Sequence, residues 1–366
     1  MATYLGTHGS RIQNYTTDPD NPNTGEVWYN ATANTLKFQY VNTNATGSWS
    51  TGNSLGTGRK ALASAGTQTS GLVFGGTTPP NSALTESFNG TSWTEKGDLN
   101  LARRAFGGSG ISNTSALAFG GVHTSNTADN EAWNGTSWTE VTDMPVARQG
   151  LSGSGTKAST LAFGGSTAST DSWNESSWTE VSDLNTNRGY FSGAAGASNT
   201  SALAFGGTPP TTTKTELYNG SSWTEVNDMN TARAEFWGGG IATSALGFGG
   251  ETAPTDVLAN TESWNGTNWT EVNNLNTARR LLSGTGTDNT NCLAAGGYDG
   301  TAYTAKTESW NGTNWTNENN LNTAKGIMAM SGNSTSGLSI GGWDNSTVLA
   351  ETEEWYGDGT LSENID

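Results

Sequence analysis

A chain of 366 residues with 32% hydrophobic side chains, 50 glycines and a formal charge of −17 is not built to meet polyanions. Its average field repels phosphate backbones and anionic lipid surfaces, which excludes nucleic acid as an expected partner and argues against membrane insertion. The glycine-rich, sparsely charged composition alone would suggest low-complexity chain. Yet most of its 15 tryptophans recur at fixed phase, and a disordered segment has no cause to hold aromatic phase over hundreds of residues.

Taken in chain order, Met1 to Gly6 shows no basic stretch followed by an apolar core, so no secretion signal is expected. Nor does any apolar run approach membrane-spanning length. Asp18 to Gly25 is a turn-rich linker. Glu26 to Asn30 and Thr35 to Gln39 are expected as short strands around an Ala31-Thr32-Ala33-Asn34 turn. Residues 1–46 lie outside the pattern that follows and are read as a segment of their own, with 47–366 as the second domain.

From Trp49 onward a tryptophan is followed ten residues later by a basic residue, seven times over. The pairs are Trp49/Arg59, Trp93/Arg103, Trp138/Arg148, Trp178/Arg188, Trp223/Arg233, Trp269/Arg279 and Trp315/Lys325. A Gly-Gly stands between successive pairs, and the period of 40 to 47 residues marks a repeat architecture. Within one unit, Arg103 to Gly108 reads as a first strand and Ser115 to Phe119 as a second, stopped by Gly120-Gly121. Glu131 to Trp133 is a third, Asn134-Gly135 a hairpin turn and Ser137 to Val141 a fourth. The residue before Gly-Gly is apolar in every unit, as is the third residue after each basic one (Leu62, Phe106, Leu151, Phe191, Phe236, Leu282 and Met328). No unit can bury these alone, so the sheets must stack, and radial stacking makes an all-β, seven-bladed β-propeller of four-stranded antiparallel blades. The last unit lacks a tryptophan strand after Tyr356, where Gly357-Asp358-Gly359 and a polar tail follow, while Gly47 to Ser50 is a fourth strand without its first three. The N-terminal strand is therefore expected to complete the last blade.

Trp138 to Arg148, with Met144-Pro145 between and Gly-Gly beyond, resembles the kelch repeat, and the resemblance covers residues 47 to 356. The third-strand aromatic, usually Trp here as at Trp133 and Trp264, makes this a divergent version, since kelch repeats more often carry Tyr. Gly25 to Phe38 is similar to a hairpin motif of bacteriophage tail-fibre and other virion proteins, where it tends to precede a distal module. That resemblance implies attachment to other virion proteins through residues 1–46, with Trp28, Tyr29 and Phe38 as attachment residues. A capping hairpin packed on one blade is the plainer alternative.

Strand direction puts the basic residues on the same face as the loops after Gly-Gly, which vary most between repeats, and variable loops on a rigid scaffold suit recognition. His123, Tyr298, Tyr303 and Trp343 break the repeat there and are the candidate binding residues. Two arrangements suit Arg59, Arg103, Arg148, Arg188, Arg233, Arg279 and Lys325: a ring around the central channel that binds an anion, or local pairing. Asp98, Asp143, Asp183 and Asp228 or Glu95, Glu140, Glu180, Glu225 and Glu271 are the acids nearest in sequence. Local pairing is the expectation, because a residue needed in every blade is more often architectural. Trp237 is read as filling space near the channel.

Enzymatic chemistry has little to work with. His8 and His123 have no partners at metal spacing, so no metal or cofactor is expected, and nucleophilic triads fail for want of histidine. Cys292 stands where other repeats have alanine and is read as a small strand residue. Asn89, Asn134, Asn219 and Asn265 open Asn-x-Ser/Thr triplets that are read as turns. The expected function is that of a non-enzymatic virion structural protein, on a tail fibre or as a capsid or neck decoration, made in the host cytoplasm and displayed on the particle surface to bind a host glycan or protein. The alternatives are a polysaccharide-cleaving enzyme, with Glu235, Asp256 and Asp299 as the acids to test, and a kelch-type protein-interaction adaptor.

Overall fold

The computed structural model describes residues 12–16, 27–41, 46–165, 167–189, 193–194, 198–253, 256–357 and 360–365. The chain divides into two compact units, one of Met1–Gly47 with Tyr356–Asp366 and one of Ser48–Trp355. All its described regular structure is strand.

In the first unit the hairpin forms as expected, Val27–Asn30 against Thr35–Val41 with Asn30 opposite Thr35. Asn30 Oδ1 accepts the Thr32 and Ala33 amides, and Asn34 takes the left-handed conformation (φ 57°) that closes the turn. Gln13–Tyr15 adds a parallel strand to one side. The segment read as a polar tail is the fourth strand: Thr360–Ile365 pairs antiparallel with Thr35–Val41. Its partner lies more than 300 residues away, so no local pattern announces it. The linker at residues 18–25 lies outside the described residues, as does the Phe38 side chain.

Among the described residues, the strands of the second unit form seven four-stranded antiparallel sheets. Sheet one comprises Ala63–Thr67, Ser70–Phe74, Thr85–Phe88 and Trp93–Glu95. Sheet two runs from Gly107–Ser112 to Trp138–Val141, sheet three from Leu151–Thr156 to Trp178–Glu180, and sheet four from Gly193–Ala194 to Trp223–Glu225. Sheet five runs from Trp237–Ile241 to Trp269–Val272 and sheet six from Ser283–Asp288 to Trp315–Asn317. Sheet seven is Ala329–Gly332, Ser336–Trp343 and Val348–Tyr356, completed by the N-terminal Ser48–Thr51. The first strands neighbour one another in sequence order and the seventh returns to the first, which is the arrangement of a β-propeller.

Between sheets the core is aromatic. The residue before each Gly-Gly meets the tryptophan of the next sheet's fourth strand, as in Phe74–Trp138 and Phe248–Trp315, whose ring centroids lie 4.8 and 4.7 Å apart. Gly75 and Gly76 show why the Gly-Gly recurs. Both have positive φ, and a Cβ on Gly75 would lie 2.5 Å from the Phe106 ring of the next sheet.

The first strand starts later than its residues suggested. Ala105 is left-handed (φ 52°), so Arg103 to Phe106 form a bend and the strand begins at Gly107. Ala61, Glu235, Leu281 and Ile327 repeat this geometry, and Gly150 supplies it in sheet three. Each non-glycine residue held there costs about 1–2 kcal/mol. Hydrogen bonds between successive bends offset it: Ala61 N to Ile327 O, Gly150 N to Ala105 O, Leu281 N to Glu235 O and Ile327 N to Leu281 O. Phe191, expected three residues after Arg188, lies outside the described residues.

Candidate functional site

The seven basic residues are fully buried, and each forms an ion pair within its own sheet. This is local pairing, with other acids than those nearest in sequence. The partners are Glu86, Glu131, Asp171, Glu216, Glu262, Glu308 and Glu353, each two residues before the third-strand aromatic. Asp98, Asp143, Asp183 and Asp228 instead accept the amides of Thr85, Asn130, Thr170 and Thr215. Arg103 shows the full constellation. Its Nη2 meets Glu131 Oε1 at 2.9 Å, while Nη1 donates to the carbonyls of Asp129 and Gly120 at 2.6 and 3.3 Å. Glu131 Oε2 accepts both the backbone and side-chain N–H of Asn100. Burial lowers each cation's pKa and the paired acid raises it, leaving Arg279 at about 10 and still charged at neutral pH. Each cation is enclosed beside its own carboxylate, which is the local pairing rather than a set of cations open to an anion in a channel.

What varies is the shell outside this ring. Among the described residues, the residue after the basic one bridges to the loop after Gly-Gly in six sheets, pairing Lys60 with Thr77, Arg104 with Val122, Gly189 with Thr208, Ala234 with Glu251, Arg280 with Tyr298 and Gly326 with Trp343. These bridges place the loop residues on the face expected from strand direction. Arg280 Nη1 donates to Glu235 Oε2 at 2.6 Å and lies 2.9 Å from Glu251 Oε2. Its guanidinium sits 5.4 Å from the Tyr298 ring, which meets Tyr303 edge-on at 5.5 Å. Tyr303 packs on the backbone of Gly326, where a Cβ would come within 2.6 Å of its ring. Gly326 bridges to Trp343, and Lys60 Nζ stands 3.6 Å above the Trp343 ring. Charged groups and aromatic rings thus follow one another across sheets five, six, seven and one, from Glu235, Glu251 and Arg280 through Tyr298, Tyr303 and Trp343 to Lys60.

Three of the four candidate binding residues, Tyr298, Tyr303 and Trp343, are in this arc. His123 is exposed in the loop of sheet two, its Nδ1 2.9 Å from the Ala102 carbonyl. Of the attachment residues, Trp28 is buried and Tyr29 donates to Asn34. Glu235 belongs to the arc, but Asp299 caps its own turn by accepting the Thr301 and Ala302 amides, and Asp256 accepts from Thr252 Oγ1. Glu251 was missed. Its signal was an acid directly after Gly-Gly, where the other units carry Thr77, Val122, Ser166, Thr208, Tyr298 and Trp343. Burial and the neighbouring Glu235 raise the Glu251 pKa, against the pull of Arg280.

Trp237 lies over Gly284 and 5.1 Å from Phe248, filling space between sheets. Cys292 is buried with its thiol pKa pushed up by desolvation. The amide oxygens of Asn89, Asn134, Asn219 and Asn265 accept the amides of their own turns. Asp129, Glu140 and Asp143 bring carboxylates within 4.8 Å of one another on sheet two. Sheet four has Lys214 at the position of Asp129, where it binds Glu225 and Asp228. Exposed acids of this kind are common without an ion. No helix among the described residues is long and apolar enough to cross a membrane. No protein-family model matches the chain, and no curated protein matches its sequence.

Proposed function

We propose that this chain is a non-enzymatic structural protein of a bacteriophage particle, attached through residues 1–46 and displaying a kelch-like propeller whose variable-loop face binds a glycan of the host surface. The observation that carries the reading is the arc of Tyr298, Tyr303 and Trp343. On a scaffold that repeats one buried ion pair and one turn in sheet after sheet, Tyr298 and Trp343 break the repeat beside Arg280 and Lys60, and Tyr303 packs against Tyr298. Aromatic rings beside hydrogen-bonding groups suit a sugar, which presents an apolar C–H face and polar hydroxyl edges. The kelch-like character rests on the recurring Gly-Gly, tryptophan and basic residue, and the particle assignment on the Val27–Asn30 and Thr35–Val41 hairpin. A glycan array probed with purified protein tests the binding, and retention of binding after Trp343→Ala together with Tyr298→Ala would remove this face from the account. Particles carrying a chain that lacks residues 1–46 test the attachment, since incorporation at the wild-type level would sink it.

A second reading, a polysaccharide-cleaving enzyme, draws on Glu235 and Glu251 meeting at one guanidinium with the Glu251 pKa raised. Release of reducing ends from a bound polymer, abolished by Glu235→Gln and by Glu251→Gln, would establish it in place of the first.

A further inference from the structure

Beside the aromatic arc lies a concave feature whose chemistry the repeat does not supply. Loops of sheets four and five enclose a cleft of about 390 Å³, lined by Thr208, Thr211, Glu235, Glu251 and Thr252 among others. That volume is within the range of small-ligand sites and suits one or two sugar rings. The scaffold does not need these acids. Where Glu235 stands, the other described bends have Ala61, Ala105, Gly150, Leu281 and Ile327, none of them charged.

We propose that this cleft binds a neutral, hydroxyl-rich sugar residue of the glycan, with Glu251 and Glu235 accepting its hydroxyl protons and the threonine hydroxyls completing the contacts. The proposal rests on the glycan-binding reading above and narrows it to one place and one chemical class. Glu235 and Glu251 both line the cleft and share Arg280, whose Nη1 lies 2.6 Å from Glu235 Oε2 and 2.9 Å from Glu251 Oε2. Two carboxylates offer more lone pairs than one guanidinium nitrogen takes up, so the wall has acceptor capacity for a ligand hydroxyl. An acidic sugar would bring a third negative charge to two carboxylates that share one guanidinium. A cationic sugar would have to approach Arg280, which already occupies the place between them. A hydroxyl group avoids both conflicts, because it donates to a carboxylate and accepts from a threonine. From the cleft, Arg280 leads to Tyr298 and Tyr303, so further sugar units can lie along the aromatic arc.

The test is calorimetric titration of the full chain with the methyl glycosides of glucose, galactose and mannose, and with those of glucuronic acid and glucosamine as acidic and cationic counterparts. At least one neutral glycoside is expected to bind more tightly than either charged one. Glu251→Gln is expected to weaken that binding at least tenfold. Ala253→Trp, which fills the cleft without changing charge, is expected to abolish it. Ile111→Ser, on an exposed side chain remote in sequence from these loops, is expected to change nothing, and thermal midpoints equal to wild type show that each variant is folded. Tighter binding of a charged glycoside, no binding of any neutral one, or unchanged affinity in both cleft variants overturns the proposal. If array binding persists in both cleft variants but is lost in Trp343→Ala, the cleft assignment falls while the glycan-binding face stands. If the wild-type chain binds nothing on the array, both fall.

Discussion

Trp138 Nε1 donates a 2.8 Å hydrogen bond to Thr85 Oγ1, joining the fourth strand of sheet two to the third strand of sheet one. The same bond links Trp223 to Thr170, Trp269 to Thr215, Trp315 to Thr261, Trp49 to Thr307 and Trp93 to Thr352. Each large ring is thereby fixed in orientation as it enters the gap between sheets, and the lock continues across the joint at Ser48–Thr51. Burying the indole without the bond would leave an unsatisfied donor, at a cost of about 1–3 kcal/mol.

Sheet three breaks the lock. Asn130 replaces the threonine, and both Trp178 Nε1 and Asn130 Oδ1 are buried without a hydrogen-bond partner. Asn130 Nδ2 is committed to the Thr142 carbonyl, which holds the amide away from its usual role. Asn130→Thr should restore the indole bond and raise stability by about 1 kcal/mol, after loss of the amide contact. Urea unfolding measures it, and a midpoint at or below that of the wild type would show that the orphaned pair is relieved in some other way.

A second defect involves the ion pair of the same sheet. In sheets two, four, five and six the glutamate bridges an arginine and the amide of an asparagine three residues before it, as Glu262 does with Arg233 and Asn230. Sheet three has Pro145 at the asparagine position, with no N–H to give, and the shorter Asp171 as the acid. Arg148 Nη1 stands 2.7 Å from Asp171 Oδ2, yet neither carboxylate oxygen has a well-formed hydrogen bond, and burial raises the Asp171 pKa. Restoring both partners should succeed where either alone does not. A double-mutant cycle of Pro145→Asn and Asp171→Glu is expected to show a favourable coupling of about 1–2 kcal/mol. Additive effects would mean that the two replacements arose independently of each other.

These two defects show where sequence reading works and where it stops. The repeat, the split last sheet and the Asn-Gly turns were legible because glycine pairs, aromatic phase and strand alternation are set by neighbours close in the chain. The partner of Arg103 was not. Asp98 and Glu95 are near it in sequence, but Glu131 is brought to it by the pairing of strands two and three, 28 residues on. Glu251 looked like any loop acid until its bridge with Ala234 placed it beside Arg280. The Thr360–Ile365 strand had no visible partner for the same reason. In each case the missing information was register between distant strands, which one sequence does not display.

The turn between strands three and four offers a local prediction. Gly90, Gly135, Gly220, Gly266 and Gly312 occupy its left-handed position, and Glu175 alone among their counterparts puts a side chain there, at φ 77°. The conformation costs a non-glycine residue about 1–2 kcal/mol, part of which is recovered from a less flexible unfolded chain. Glu175→Gly should therefore stabilise the protein by about 0.5–1 kcal/mol, whereas Glu175→Ala should not. Equal midpoints for the glycine and alanine variants would assign any change to the removed charge.

The exposed turn acids predict part of the acid sensitivity. Asp299 is held below its ordinary range by the amide of Ala302 and the hydroxyl and amide of Thr301, and Asp344 by the amides of Thr347 and Ser346. Unfolding frees these carboxylates to bind protons at about pH 3.9. Between that value and the lower folded one the unfolded chain carries more protons, so stability rises with pH across the window. The contribution is complete above the unfolded value and disappears as pH falls through the folded one. Asn134 caps an equivalent kind of turn with its own Oδ1, so Asp299→Asn can keep the geometry while removing the titration. Urea midpoints followed from about pH 5 down to about pH 3 should therefore fall less steeply in the variant than in the wild type. The buried ion pairs titrate in both proteins and cancel in the difference, so parallel curves would show that the Asp299 cap makes no pH-dependent contribution.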